Sequence, residues 1–293
     1  MESLVERLEK RLRRYALAEL PSGNGQRREL EKLKLRDLLT VYGNWRFRCP
    51  PARSRRVRIS RELKAEMAAG KAPEALKALI HRIEHGEDLK PFLSRGVKVA
   101  IERHKETPHH RRTDLDLLLA EWGIHHLHLS TSIQGDGFTK RTRDLLFVVL
   151  RPDDAYLIGV FPHGSWTKRA IAERAVRNWP EAELFFRAKY AVGLTQEWDE
   201  SESAALRKAG INQAMAIDGR VYSPMGQMGD GSAMAVSRRV MHLTWQLKEW
   251  RSNGADRLQQ IANGAFVYWV PAIRDDQCGF LGHGRFVGVA DLP

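Results

Sequence analysis

Cysteine is scarce in this chain of 293 residues: Cys49 and Cys278 are the only two, and they lie far apart. That excludes a disulfide framework and a zinc-knuckle spacing, and it fits a reducing compartment. Long apolar runs are missing as well. No stretch of about 18 uncharged apolar residues exists, so no transmembrane helix is expected. The opening MESLVERLEKRLRRYALAEL is charged throughout and shows no signal-peptide core, so a cytoplasmic location is expected. The glycine-rich MGQMGDGSAM matches neither the Walker A spacing nor G-x-G-x-x-G, which argues against a phosphate loop. Acidic residues are the remaining deficit. Asp plus Glu number 36 against 48 Lys plus Arg, for a net charge of +12. Such an excess favours polyanionic partners, RNA first among them, although basic residues also simply solvate a surface. An anionic membrane is disfavoured, because no helix combines a wide apolar face with a purely basic one.

What is present reads as an α+β chain in three parts. The first, residues 1–59, is a helical N-terminal region. Leu4, Val5, Leu8, Leu12 and Tyr15 recur at helical spacing, and Pro21 to Gly25 break the pattern before a second helix near 26–42. RFRCPPARSRRVRIS follows as an extended basic linker, with six arginines in the thirteen positions from Arg46 to Arg58. Arg55, Arg56 and Arg58 are candidates to track a phosphate backbone, and a solvated linker explains them equally. Cys49 reads as a structural thiol.

The second part, residues 60–180, holds helices and then a small antiparallel sheet. Ser60 is a plausible N-cap, Pro73 opens a helix and Gly86 ends it. His81 and His85 lie one turn apart and read as surface residues. His109 and His110, beside Arg111 and Arg112, read as a solvated basic patch. Thr113 is the expected cap of a helix through Ala120. WGIHHLHLS then alternates with period two, so Ile124, His126, His128 and Ser130 share one face of a strand. DLLFVVL and AYLIGVF flank a four-residue turn and predict a hairpin. PHGSW precedes another helix, capped by Thr167 and stopped by Pro180.

The order of strand, basic loop, hairpin, short polar motif and helix resembles the RelE/ParE/HigB toxin superfamily over about 65 residues. The resemblance implies RNA cleavage, often on the ribosome, or gyrase inhibition without nuclease activity in ParE-like members. It also implies a protein partner, an antitoxin included. The segment departs from the family in having no tyrosine near its end of the kind several RelE-like nucleases use, which bears on catalysis itself. RNA cleavage without a metal needs one group to take the 2′-hydroxyl proton, one to protonate the leaving oxygen, and cations to hold phosphate. Histidine suits the proton transfers and Arg or Lys the phosphate. His126, His128 and His163 are therefore the candidate catalysts. Lys140, Arg141, Arg143 and Lys168 are the candidate phosphate ligands, with no cofactor required.

Other readings use the same residues. His126, His128 and His163 could ligate zinc. HLS and HGS are paired His-x-Ser motifs similar to those of the 2H phosphoesterases, whose repeats are usually further apart than the 35 residues here. A solvated sheet face of hydrogen-bonded histidines, in a non-catalytic protein that binds nucleic acid or protein, accounts for them too.

The third part, residues 181–293, reads as an α+β domain without a chemical signature. Asp218 and Gly219 mark a hairpin turn, and SAMAVSRRVMHLTWQLKEW marks an amphipathic helix.

Overall fold

A computed structural model describes residues 3–21, 26–102, 112, 114–261, 270–274, 277–282 and 285–292. The fold is α+β. In chain order its elements are α1 (Leu4–Glu19), α2 (Gln26–Lys32), α3 (Leu35–Arg48), β1 (Arg56–Ile59), α4 (Arg61–Ala68), α5 (Ala75–His85), α6 (Leu117–Trp122), β2 (His125–His128), β3 (Asp144–Leu150) and β4 (Asp154–Pro162). There follow α7 (Arg169–Asn178), β5 (Phe186–Arg187), α8 (Glu200–Lys208), β6 (Met215–Ile217), β7 (Arg220–Ser223), α9 (Met234–Ile261), β8 (Val270–Arg274), β9 (Gln277–Gly282) and β10 (Arg285–Asp291).

The chain divides into two compact units. Unit 1 comprises residues 1–47, 99–102 and 235–293, and unit 2 comprises residues 48–98 and 103–234. The N-terminal helices thus share a unit with the last strands. A chain that leaves a unit and returns to it produces no composition shift at the boundary.

In unit 1, α1 starts at a capping box. The Ser3 hydroxyl accepts from the Glu6 N–H at 3.2 Å, and the Ser3 N–H donates to Glu6 Oε2 at 2.7 Å. Val5, Leu8, Leu12 and Ala16 form its buried stripe, laid against β8 and β9. The expected second helix is two, α2 and α3. Arg13 closes the end of the first by donating to the carbonyls of Glu31 and Leu33 at 3.2 and 2.5 Å. The sheet runs β10-β9-β8, all antiparallel. Cys278 is buried in it, and neither cysteine forms a disulfide.

Unit 2 is built on a four-stranded sheet in the order β1-β4-β3-β2. The predicted hairpin is β3–β4, in antiparallel register from Asp144↔Pro162 to Leu150↔Ala155, and β2 adds antiparallel to β3. The basic run expected as a linker instead supplies the end of α3 and then β1, which pairs parallel with β4 from Arg56↔Asp154 to Ile59↔Leu157. The sheet is therefore mixed rather than purely antiparallel. Ser60 caps α4, accepting from the Leu63 N–H at 3.1 Å. Gly86 ends α5 at φ 71°, where any Cβ would lie 2.5 Å from the Ser54 nitrogen. One face of the sheet packs on α7: Phe147, Ile158 and Phe161 meet Ile171, Ala172 and Ala175 in one apolar cluster. Such burial is the main favourable contribution to folding, at about 25 cal/mol per Å² of apolar surface. A second sheet, β5-β7-β6, contains the predicted hairpin. Asp218 and Gly219 both have positive φ, as its two-residue turn requires.

Candidate active site

β2 is an edge strand, and its alternation sorts the histidines as the sequence predicts. His126 pairs opposite Phe147 and His128 opposite Leu145, while His125 and Leu127 pair opposite Val148 and Leu146. Phe147 and Leu145 belong to the cluster that packs on α7. His126 and His128 therefore share that face, with Cα atoms roughly 7 Å apart by strand rise. Leu145 in turn pairs with Phe161 on β4. The ladder continues one step beyond β4, where the His163 N–H donates to the Arg143 carbonyl at 2.6 Å. His163 thereby follows Phe161 with period two onto the face of His128. Gly164, at φ 95°, then reverses the chain. Trp166 returns over the sheet, its ring 5.8 Å from that of Phe147.

Trp166 is the point of convergence. Its ring centre lies 4.7 Å from that of His126 and 5.0 Å from that of His163. The Trp166 main chain is held by buried Arg207, which donates to the Trp166 carbonyl and to Glu121, and whose guanidinium stands 4.4 Å from the centre of the Trp122 ring. Burial pushes the Glu121 carboxyl up, against the opposing pull of Arg207.

The three histidines occupy different environments. His126 is partly exposed, and its Nδ1 stands 3.2 Å from Asp116 Oδ2. The contact lacks hydrogen-bond geometry and is a close approach of imidazole and carboxylate. Asp116 is itself held as the N-cap of α6, its Oδ1 accepting from the Leu119 N–H at 3.0 Å. His163 is exposed. His128 is buried, and its pKa is pushed down from 6.5 to about 4, first by desolvation and then by His126, Arg141, His163 and Arg95. The Thr142 N–H donates to His128 Nδ1 at 3.3 Å. Thr142 Oγ1 commits its proton to the Asp144 carbonyl at 2.7 Å. Nδ1 is thus an acceptor, and the proton of neutral His128 resides on Nε2. His128 is therefore corrected from a proton-transfer candidate to a neutral hydrogen-bond donor.

Lys140, Arg141 and Arg143 are exposed and Lys168 partly so, and no ion pair engages any of the four among the described residues. Three lie on the loop between β2 and β3 and Lys168 lies just ahead of α7, and the charge of Arg141 reaches His128. Arg95 and Lys98 share the single carboxylate of Asp136 at 2.7 and 2.9 Å, and these hydrogen bonds hold that carboxyl far below the usual carboxylate range. The other three proposed ligands lie elsewhere. β1 is at the opposite edge of the sheet from β2. Arg56 and Arg58 each bond Asp154 at 2.9 Å. Arg55 is buried and donates to the carbonyls of Arg151, Arg53 and Pro51. Arg56 and Arg58 tie β1 to β4 through Asp154, at the edge of the sheet away from the histidines.

Two helix caps are corrected. Asp116, not Thr113, caps α6, and Thr113 lies outside the described residues, as do His109, His110 and Arg111. Lys168 rather than Thr167 stands at the cap of α7, without a side-chain cap bond. His81 and His85 stack at 3.9 Å on an exposed helix face. Among the described residues no three His, Cys, Asp or Glu side chains gather as a metal-ligating set, and no helix is long and apolar enough to cross a membrane.

Glu121 and Arg207 were not identifiable as site residues from sequence. Asp116 carried a usable signal, an Asp three residues ahead of Leu119 at the head of an apolar run. Glu121 and Arg207 are 86 positions apart, and no local pattern joins them. No family model matches this chain, nor does any curated protein or solved structure.

Proposed function

We propose that unit 2 cleaves RNA by acid–base catalysis without a metal, as a toxin-like endoribonuclease. The observation that carries this reading is the convergence of His126 and His163 on one indole, with His128 on the same face and unpaired cations alongside. The Asp116 carboxylate favours the tautomer of His126 with its proton on Nδ1, leaving the Nε2 lone pair as the base. In the proposed step His126 Nε2 takes the 2′-hydroxyl proton and the 2′-oxygen attacks phosphorus. The bond from phosphorus to the 5′-oxygen breaks with its electron pair on that oxygen, and His163 protonates it. The products are a 2′,3′-cyclic phosphate and a 5′-hydroxyl. The Nε2–H of His128 and the side chains of Arg141, Lys140, Arg143 and Lys168 stabilise the phosphorane charge. Each proton transfer of this kind contributes roughly 10²–10⁴-fold.

The unpaired cations equally suit a protein that binds nucleic acid without cutting it. One assay separates the readings: purified protein with RNA, with and without chelator, followed by end-group analysis. Cyclic-phosphate ends that persist in chelator support the proposal. Cleavage abolished by chelator supports a zinc site. Salt-sensitive binding without cleavage supports the binding module.

A further inference from the structure

A cleft of about 710 Å³ opens beside the edge of β2, entirely within unit 2. It falls inside the roughly 300–1,000 Å³ of small-molecule sites. His126 and Trp166 line it, and Leu93, Val97 and Leu117 supply apolar wall. Arg48 and Arg112 also line it, both clamped on the buried carboxylate of Asp114 at 3.1 and 2.6 Å. Arg48 is held further by the Gly96 carbonyl at 3.1 Å. An apolar slot with fixed, planar guanidiniums in its wall suits a flat heterocycle, because guanidinium planes and aromatic rings both stack on nucleobases.

Resting on the function proposed above, we propose that this cleft receives the unpaired base of the nucleotide on the 5′ side of the cut. The chemistry of the ribose sets the side. The glycosidic bond at C1′ is one carbon from the 2′-hydroxyl, so the base attached to the attacking sugar must sit close to the group that takes the hydroxyl proton. That group is His126, which lines the cleft, whereas His163 is not among the lining residues. The base on the leaving side therefore lies outside it. A base held in a duplex cannot enter, so the substrate is RNA that is unpaired at this position.

The test uses the full chain and a mixed-sequence oligoribonucleotide, single-stranded or annealed to its complement, with sequencing of both fragment ends. Ala204 is an exposed cleft residue on α8, outside the catalytic groups, and Ser94 lines the cleft too and is exposed. Ala204→Trp and, separately, Ser94→Trp narrow the cleft, and thermal melting verifies that each variant is folded. We expect the single strand to be cut at least about tenfold faster than the duplex. Base preference is expected at the nucleotide carrying the cyclic phosphate and not at the 5′-hydroxyl nucleotide. Either tryptophan variant should weaken that preference and lower kcat/KM about tenfold or more. Equal cutting of single strand and duplex, preference on the 5′-hydroxyl side, or folded variants with unchanged rate and preference would each overturn the assignment while leaving the nuclease reading intact. No cutting of any RNA would overturn the nuclease reading itself.

Discussion

Lowering the pH should cost unit 2 stability through one side chain, His128. Its imidazole is buried, and its neighbours His126, His163, Arg141 and Arg95 all oppose a further positive charge. An unfolded chain takes up a proton on this histidine near pH 6.5, whereas the folded chain resists until about pH 4. Between those values the unfolded state binds more protons, so stability falls as pH falls. Above the window, and below it, this side chain adds no further slope. One pKa unit corresponds to about 1.36 kcal/mol, so the full window is worth about 3 kcal/mol. His128→Asn removes the titration, and its amide oxygen can still accept from the Thr142 N–H. Urea unfolding followed by tryptophan fluorescence, at steps from pH 7 to pH 4, gives the difference between variant and parent. The variant should gain on the parent by about 3 kcal/mol as pH falls through the window. Other groups that titrate there are common to both proteins and cancel. Stabilities that stay parallel across the range would refute both the burial and the cationic surroundings assigned to His128.

Arg207→Met strands the buried Glu121 carboxylate and should cost about 3–5 kcal/mol, lowering Tm by roughly 10 °C for a unit of this size; adding Glu121→Gln should restore much of it, and calorimetry reads both. Gly86→Ala places a methyl group 2.5 Å from the Ser54 nitrogen at φ 71° and should cost about 1–3 kcal/mol. Gly70→Ala, at φ 68° with nothing within 4 Å, should cost less in the same denaturation assay. Lys140→Gln and Arg141→Gln should weaken RNA binding alike for all sequences and reduce the slope of log affinity against log salt by about 0.7 each.

The parts of the fold legible in the sequence were those written in local periodicity and punctuation. DLLFVVL and AYLIGVF declared the β3–β4 hairpin, Asp218 and Gly219 a tight turn, and Ser60 and Gly86 the ends of helices. The alternation in IHHLHLS placed His126 and His128 on one face, and the ladder step after Pro162 brings His163 to join them. What was illegible depends on pairing between distant residues. β1 was hidden in an arginine-rich run because its strand character comes from β4, 98 positions away at Arg56↔Asp154. The same pairing sets Arg56 and Arg58 at the sheet edge opposite the histidines. His128 could not be told from His126 by type or spacing. Only burial and the Thr142 N–H make it a neutral donor, while Asp116 sets His126 apart. The Glu121–Arg207 pair that fixes Trp166 has no sequence signature at all.

The central claim is that His126 and His163 move the two protons of one phosphodiester cleavage. Its most direct test is the rate of 2′,3′-cyclic phosphate formation on a single-stranded RNA in chelator, for the parent, His126→Asn and His163→Asn, each checked for folding. The account predicts cleavage by the parent and a loss of about 10²-fold or more in each variant. Parent-like rates in folded His126→Asn or His163→Asn, or no cyclic phosphate from the parent, would contradict it.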